Sequence, residues 1–177
     1  MNKRAVFLDR DGVINEVFLK KKKPVSPHGF EEFRFMKGIS GPLEQFRKLG
    51  FLNIIVTNQP DIARGLLDIR ELEKMHKKIK DKLPIDDIRV CPHDDKDMCA
   101  CRKPKPGLLI KAAEDWGVEL ARSYVIGDSR RDIEAGKRAG CITVLLNKRY
   151  NNEDEIDSDF RVRRLSEFAK ILKNREV

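Results

Sequence analysis

The chain has 177 residues, of which 40% are hydrophobic and 37% are charged, and its formal net charge is +8. This length suits one domain over residues 1–177, and the balance of apolar and charged residues excludes a disordered chain. No apolar run approaches the length of a membrane span, and the N-terminus lacks the pattern of a secretory signal, so we expect a cytoplasmic protein. The positive charge favours anionic partners, among them phosphorylated metabolites, nucleic acid and membrane surfaces.

Strand and helix patterns alternate along the chain. Short apolar runs predict strands at 4–8, 52–56, 87–90, 124–126 and 142–146, with an edge strand at 161–165. Capping residues, prolines and glycines predict helices at 43–49, from Asp68 to about 82, from Pro106 to Gly117 and at 131–139, with Ser166 capping a last helix. About thirty residues after the first strand are predicted to be a long loop, either functional or mobile. The four lysines at 20–23 are interpreted as a solvated part of this loop or as a basic rim that attracts a phosphorylated substrate.

The alternation predicts an α/β fold, a doubly wound parallel sheet with helices on both faces. Polar residues stand where the predicted strands end. They are Asp9, Asp11, Thr57, Asn58 and Asp128. Because ligands bind beyond the carboxyl ends of such strands, we expect these residues to form one site.

The pair Asp9 and Asp11 is the strongest single indication of chemistry. Like charges this close resist joint ionisation unless a cation shares them. With Asp128 they make three carboxylates and no histidine, a set that suits a hard divalent cation such as Mg²⁺. The groups nearby that suit a phosphate are the hydroxyl of Thr57, the amide of Asn58, the guanidinium of Arg102 and the ammonium of Lys103. These surroundings fit phosphoryl transfer, in which an aspartate can be the covalent nucleophile.

Four ordered motifs resemble those of the haloacid dehalogenase superfamily of phosphatases. They are Asp9-Arg10-Asp11-Gly12, Thr57-Asn58-Gln59, Lys103 and Gly127-Asp128-Ser129-Arg130-Arg131-Asp132. The similarity spans residues 4 to about 146 and implies a Rossmann-like sheet of the type found in this superfamily. The short interval between Asp11 and Thr57 leaves no room for a separate cap domain. By the same resemblance, Asp132 would brace the loop of Asp128.

The resemblance also implies a role for each residue of the site. Asp9 would attack phosphorus, and Asp11 would protonate the leaving oxygen and later activate water. Mg²⁺ would be held by Asp9, the backbone carbonyl of Asp11 and Asp128. Thr57 and Lys103 would hold the phosphoryl oxygens. For Asp11 to act as an acid near neutral pH, its pKa must be raised by burial and by its neighbours.

A second cluster lies at residues 91–101. It consists of Cys91, His93, Cys99 and Cys101. Three thiols and one imidazole can close a tetrahedron around Zn²⁺, whereas a disulfide or plain buried thiols are the alternative. With four protein ligands no position stays open, so the Zn²⁺ would be structural. It would fold this loop and place Arg102 and Lys103 over the active site.

Further segments narrow the resemblance to the D-glycero-D-manno-heptose 1,7-bisphosphate 7-phosphatases, capless members that contain zinc. These segments are Val13-Ile14-Asn15, Ile62-Ala63-Arg64-Gly65 and Cys101-Arg102-Lys103-Pro104-Lys105-Pro106-Gly107. The match implies removal of one phosphate from a sugar bisphosphate. It also implies substrate contacts from Asn58, Gln59, Arg64 and Arg102.

Departures from this pattern keep other functions open. Val13 replaces a threonine, Ser129 replaces a lysine, and the short zinc loop is similar to that of histidinol-phosphatases. The alternatives are a histidinol-phosphate phosphatase, a nucleic-acid 3′-end phosphatase and a non-enzymatic binding module stabilised by zinc. An aromatic content of 7% counts against a nucleic-acid partner, and the complete set of acids counts against an inactive fold. We expect a monomer that acts on a small phosphorylated metabolite and has no membrane partner.

Overall fold

The structure, a computed structural model, describes residues 3–151 and 156–176. The strands in these ranges are β1 (Arg4–Leu8), β2 (Phe18–Lys20), β3 (Lys23–Val25), β4 (Phe51–Asn58), β5 (Asp87–Cys91), β6 (Tyr124–Gly127), β7 (Ile142–Leu146) and β8 (Phe160–Val162). The α-helices there are α1 (Ser40–Lys48), α2 (Pro60–Ala63), α3 (Ile69–Lys82), α4 (Gly107–Trp116), α5 (Arg130–Ala139) and α6 (Leu165–Glu176). Within the same ranges, no helix combines the length and the apolar character that crossing a bilayer requires.

In the described chain, a six-stranded parallel sheet has the order β5-β4-β1-β6-β7-β8. This confirms the predicted doubly wound sheet and the edge position of the last strand. Leu8, at the end of β1, is in register with Ile55 of β4 and Ile126 of β6. The central strands therefore end close together, which brings the residues that follow them to one edge of the sheet.

Helices cover both faces of the sheet. Along β1, Val6 and Leu8 belong to one buried cluster, whereas Ala5 and Phe7 belong to another, because successive side chains of a strand point to opposite faces. The first cluster includes buried residues of α1, α3 and α6, and the second includes those of α4 and α5. Burial on both sides explains the continuous apolar run that predicted this strand.

The region predicted as a long loop contains a small hairpin. β2 and β3 pair in antiparallel fashion with Lys20 opposite Lys23. Lys21 and Lys22 form the turn with φ values of 50° and 64°. The prediction of a loop was therefore wrong here, because strands of three residues are too short for an alternating pattern to show them.

Some predicted boundaries also differ from the structure. Thr57 and Asn58 occupy the last two positions of β4 rather than following it. Ser166 is the second residue of α6, so its predicted capping role was wrong. Asp68 does cap α3, since its side chain accepts a 2.8 Å hydrogen bond from the backbone N–H of Arg70.

Phe168 of α6 completes the core on the first face. Its ring is fully buried and its centroid lies 5.3–6.0 Å from those of Phe46, Tyr124 and Phe160. Phe168→Ala removes these contacts and leaves a cavity, so we expect the free energy of unfolding in urea titrations to fall by about 3–5 kcal/mol. The control Phe18→Ala removes a residue that is 48% exposed and should change this free energy by less than about 0.5 kcal/mol. An equal loss in both variants would contradict this packing.

Candidate active site

Asp9 and Asp11 have different surroundings although they are two residues apart. Asp9 follows the end of β1, and its backbone N–H donates to the carbonyl oxygen of Ile126 at 2.9 Å. Its Oδ1 accepts a 2.7 Å hydrogen bond from Nζ of Lys103. The carboxylate of Asp11 is instead held by Arg10, Asn15 and Gln59, the residue that follows β4. The two carboxylates therefore lie in different environments.

Asp9, Asp128 and Asp132 form an acidic cluster at the edge of the sheet. Ligand oxygens from these three carboxylates lie within 4.8 Å of one another. Burial, reinforced by the neighbouring carboxylates, raises the pKa of Asp9 well above its usual range despite the charge of Lys103. Burial and the charge of Asp132 raise the pKa of Asp128 to about 7. Acids this close ionise together only if a cation shares them, and oxygen ligands are those that Mg²⁺ prefers, so these residues fit such an ion.

Lys103 is the cation that the protein itself supplies to this cluster. Its Nζ donates to Asp9, to Oδ1 of Asp132 at 2.5 Å and to the carbonyl oxygen of Val56 at 2.8 Å. Burial alone would lower the pKa of Lys103, but the two carboxylates outweigh burial and raise it. The amide of Asn58 makes two 3.0 Å hydrogen bonds to the backbone of Lys103. The lysine is therefore charged and fixed at both ends.

The carboxylate of Asp11 is held by three donors. Nη2 of the fully buried Arg10 donates to both of its oxygens at 2.9 Å. Asn15 and Gln59 donate to it at 2.9 and 2.8 Å. Burial would raise the pKa of Asp11, but the charge of Arg10 and these hydrogen bonds outweigh burial and lower it. The expected rise was wrong for the protein without substrate, because the side chain of Arg10 turns back onto Asp11.

Tyr150 and Asn151 hold Asp128 from the loop that follows β7. The hydroxyl of Tyr150 donates to Oδ2 of Asp128, and Nδ2 of Asn151 donates to the backbone carbonyl of Asp128 at 3.0 Å. Gly12 leaves room for this contact. Its φ is +84°, and a Cβ atom there would lie 2.0 Å from Oδ2 of Asp128 and 2.6 Å from the hydroxyl of Tyr150. This position therefore requires glycine.

Asp132 links the start of α5 to Lys103. Its Oδ2 accepts hydrogen bonds from the backbone N–H of Ser129 at 3.1 Å and from the hydroxyl of Ser129 at 2.6 Å. Its Oδ1 accepts the bond from Lys103. Asp132 can therefore brace the loop of Asp128 by holding Ser129, the residue that follows Asp128.

Thr57 and Gln59 lie on the β4 side of Asp11. Nε2 of Gln59 donates to Oγ1 of Thr57 at 2.9 Å and also to Asp11. Both side chains are buried. Within the described residues the hydroxyl hydrogen of Thr57 has no acceptor, so it is available to a phosphoryl oxygen. Gln59, predicted to contact substrate, is engaged with these two neighbours.

A cavity of about 230 Å³ opens above Asp9. Its lining includes the acidic cluster, Asp11, Asn58 and Lys103, with Arg131 at the start of α5. Residues of the hairpin and its flanks also line it, so the hairpin forms one wall. Within the described chain, loops cover the site and no separate cap domain does, as predicted.

The two arginines predicted to bind substrate are held by the loop that carries the cysteines. Nε of the buried Arg102 donates to Oδ1 of Asp95 at 2.7 Å, and its Nη1 donates to the carbonyl oxygen of His93 at 3.2 Å. Arg64 donates to the two oxygens of Asp94 at 2.7 and 2.8 Å. Neither arginine is among the described residues that line the cavity above the acidic cluster.

The predicted zinc ligands meet at the end of β5. The Sγ atoms of Cys91 and Cys101 are 3.1 Å apart, and that of Cys99 lies 3.3–3.6 Å from these two. Nδ1 of His93 lies 3.3–3.6 Å from Sγ of Cys101 and Cys91. The described cysteines are free thiols. Because ligand atoms of a tetrahedral zinc site are separated by about 3.5–3.8 Å, this cluster could hold Zn²⁺ after a small expansion.

Sequence reasoning missed three residues that shape the site. Arg10 stands inside the first motif and Asn15 three residues after it, and a cation and an amide close in sequence to Asp11 were the available signal. Tyr150 lies in a polar loop, and its partner Asp128 is 22 residues away in the chain. Nothing local in the sequence marks Tyr150, because the contact depends on the order of β6 and β7 in the sheet.

Comparisons with known proteins agree with this geometry. A family model described as HAD-hydrolase-like matches residues 100–167. The D-glycero-beta-D-manno-heptose-1,7-bisphosphate 7-phosphatase of Rhodopseudomonas palustris is 39% identical over 150 residues, which cover 77% of this chain and 79% of the relative. The D-glycero-alpha-D-manno-heptose-1,7-bisphosphate 7-phosphatase of Campylobacter jejuni is 35% identical over 100% of both chains.

A solved structure has the same fold as this chain over almost the whole length of both. The crystal structure of D,D-heptose 1,7-bisphosphate phosphatase from B. bronchiseptica, complexed with magnesium and phosphate, has a TM-score of 0.83 to this chain. The identity is 28%, and the similarity covers 97% of this chain and 99% of that one. Fold, motif geometry and sequence identity agree, and the chain belongs to the heptose-1,7-bisphosphate 7-phosphatase family of the haloacid dehalogenase superfamily.

Proposed function

We propose that the protein removes the 7-phosphate of D-glycero-D-manno-heptose 1,7-bisphosphate with the help of Mg²⁺. The observation that carries this proposal is the contact between Asp9 and Lys103 beside Asp128 and Asp132, next to an open cavity. A nucleophilic carboxylate, a charged lysine and acids that suit a divalent cation are the groups that phosphoryl transfer needs. The substrate is inferred from the names of the relatives, and since these differ in anomer, the proposal covers both anomers.

Asp9 acts as the nucleophile in the proposed mechanism. A bond forms between its carboxylate oxygen and phosphorus while the ester bond to the sugar oxygen breaks, and Asp11 donates a proton to the leaving oxygen. In the second step Asp11 takes a proton from water as the water oxygen attacks the phosphorus. The bond to Asp9 then breaks, and inorganic phosphate leaves.

Asp11 must hold a proton in the first step, although its pKa is lowered in the protein alone. A substrate phosphate brings negative charge next to this carboxyl, and a like charge nearby raises the pKa of an acid. Asn15 and Gln59 keep the carboxyl in place during both steps. After the proton has been given away, Asp11 is the ionised base that the second step requires.

Lys103 and Thr57 are proposed to hold the phosphoryl oxygens through a charge and a hydroxyl. Asp9, the backbone carbonyl of Asp11 and Asp128 are proposed to hold Mg²⁺, whose charge offsets the negative charge on the transferring group. The raised pKa values of Asp9 and Asp128 support this assignment. Burial and the neighbouring carboxylates disfavour the charged forms of both acids, and a divalent cation would favour them.

Asn58 lines the cavity and is proposed to contact the substrate. Gln59, Arg64 and Arg102 were predicted to do the same. Because Gln59 donates a hydrogen bond to Asp11, we propose that it positions this carboxylate. Because Arg64 and Arg102 bind carboxylates of the loop that carries the cysteines, we propose that they fix this loop. Direct contact of an arginine with the sugar would require it to exchange partners.

A structural Zn²⁺ is proposed at Cys91, His93, Cys99 and Cys101. Cys101 stands two residues before Lys103, so a metal bound there would limit the movement of the lysine. A single domain over 1–177, a cytoplasmic location and a monomeric state stay predictions.

A phosphate-release assay with Mg²⁺ tests the substrate. The panel contains both anomers of heptose 1,7-bisphosphate, histidinol phosphate and a 3′-phosphorylated oligonucleotide. We expect kcat/KM for a heptose bisphosphate to exceed that for the other two compounds by at least about a hundredfold. A preference for histidinol phosphate would overturn the proposed substrate, and no turnover of any compound would overturn the proposed activity on this panel.

Substitutions at the two acids separate their roles. Asp9→Asn removes the nucleophile, so we expect kcat to fall by at least about a thousandfold. Asp11→Asn removes the acid and base, with an expected loss of about 10²–10⁴-fold. The control Asp81→Asn changes an exposed carboxylate that pairs with Lys77 at 2.7 Å, and its kcat should equal that of the wild type. Wild-type activity in Asp9→Asn would exclude this residue as the nucleophile.

Metal analysis of protein purified without chelator tests the zinc site. The wild type should contain one Zn²⁺ per chain, and Cys99→Ser should lose it together with part of the thermal stability, because a closed site needs all four ligands. Cys141 is a buried thiol outside the cluster, so Cys141→Ser is the matched control and should keep the metal. Zinc-free wild-type protein, or Cys99→Ser with full zinc, would contradict the assignment.

A further inference from the structure

Tyr150 contacts the acidic cluster without lining the cavity above Asp9. Its side chain is half-buried, and its hydroxyl donates to Oδ2 of Asp128. Asp128 lines the cavity above Asp9, whereas Tyr150 lines a neighbouring cavity of about 280 Å³ that shares Asp128 and Ser129 with the first. Tyr150 is therefore placed to act on the site through Asp128 rather than on a substrate.

The contact with Tyr150 engages one oxygen of Asp128 and leaves the other available. Among the described residues, the hydroxyl of Tyr150 is the one hydrogen-bond donor to this carboxylate, and Oδ1 accepts no hydrogen bond. Oδ1 can therefore bind a cation while Oδ2 stays on the hydroxyl. Carboxylates that bind metal ions are commonly held in this way, by a hydrogen bond from a residue that does not touch the metal.

The loop that carries Tyr150 is itself fixed to the sheet. Nδ2 of Asn151 donates to the backbone carbonyls of Asp128 and Leu146, both at 3.0 Å, so the loop is attached where β6 and β7 end. Oδ1 of Asn151 accepts a 3.0 Å hydrogen bond from the backbone N–H of Lys148. The backbone on either side of Tyr150 is thus held, and the hydroxyl is brought to Asp128 by a fixed segment.

We propose that Tyr150 is a positioning residue that increases the affinity of the site for Mg²⁺ by holding the carboxylate of Asp128 in one orientation. The inference rests on the proposed function, in which Asp128 is a ligand of Mg²⁺. A side chain that is already held loses less conformational freedom when the ion binds. Hydrogen bonds from outside the ligand set typically change metal affinity by about 10–100-fold.

Isothermal titration calorimetry with MgCl₂ tests the proposal without a substrate. The proteins are dialysed into Mg²⁺-free buffer that contains no chelator. Tyr150→Phe removes the hydroxyl alone, and we expect the affinity for Mg²⁺ to fall at least about tenfold. The matched control Tyr124→Phe makes the same change in a buried side chain at the start of β6, whereas Asp128 follows its end. The control should bind Mg²⁺ within about twofold of wild type.

The Mg²⁺ dependence of phosphate release gives a second measurement. In Tyr150→Phe, the Mg²⁺ concentration for the half-maximal rate should rise by the same factor as the dissociation constant, and saturating Mg²⁺ should restore kcat, because the hydroxyl acts on the metal ligand and not on the substrate. A general loss of structure would lower kcat at every Mg²⁺ concentration.

Three results would overturn the inference alone: an affinity loss in Tyr150→Phe below about tenfold, an equal loss in Tyr124→Phe, or tighter binding in Tyr150→Phe, which would show that the hydroxyl competes with the ion. No binding of Mg²⁺ by the wild type at millimolar concentration would overturn both the inference and the proposed metal site. Loss of affinity in Tyr150→Phe, combined with no turnover of the heptose bisphosphates by the wild type, would support the inference and overturn the proposed substrate.

Discussion

The ion pairs of Lys103 with Asp9 and Asp132 are the contacts on which the rest of the site depends. A buried lysine and a buried carboxylate stabilise each other only while both are present, since removal of one leaves an uncompensated charge. Here one lysine faces two acids directly, and Asp128 adds a third close by. The cluster is thus short of positive charge, which is the condition that favours a divalent cation.

Several parts of the fold serve to hold this cluster together. The parallel register of β1, β4 and β6 brings Asp9, the carbonyl of Val56 and Asp128 to one edge of the sheet. Asn58 holds the backbone of Lys103, and the cysteine cluster lies just before it in the chain. The loop with the cysteines, which a metal can fold, is therefore placed to limit the movement of Lys103. Lys103 also contacts the acidic cluster, so this one residue connects the two candidate metal sites.

Asp9 and Asp11 lie two residues apart in one short motif but have different surroundings. Asp9 lies among other acids and one lysine, whereas Asp11 lies against Arg10, Asn15 and Gln59. These surroundings shift the two pKa values in opposite directions. The proposed roles need the opposite shifts, an ionised Asp9 and a protonated Asp11, and Mg²⁺ beside Asp9 and a substrate phosphate beside Asp11 would supply them.

The sheet and the positions of the motif residues could be predicted from the sequence, because buried parallel strands are continuous apolar runs and their ends carry the ligands. The hairpin could not, since its strands are three residues long. The side-chain partners of Arg10, Arg64 and Tyr150 could not be predicted either. These contacts depend on where side chains turn and on segments that are distant in the chain, which local patterns do not record.

The most direct test of this account is to identify the phosphorylated residue. Wild-type protein and Asp11→Asn, in which both steps should be slow, are quenched in acid during turnover with Mg²⁺ and digested for peptide mass spectrometry. We expect every phosphorylated peptide to carry the phosphoryl group on Asp9. A phosphoryl group on another residue, or no phosphorylated peptide in either protein during measured turnover, would contradict it.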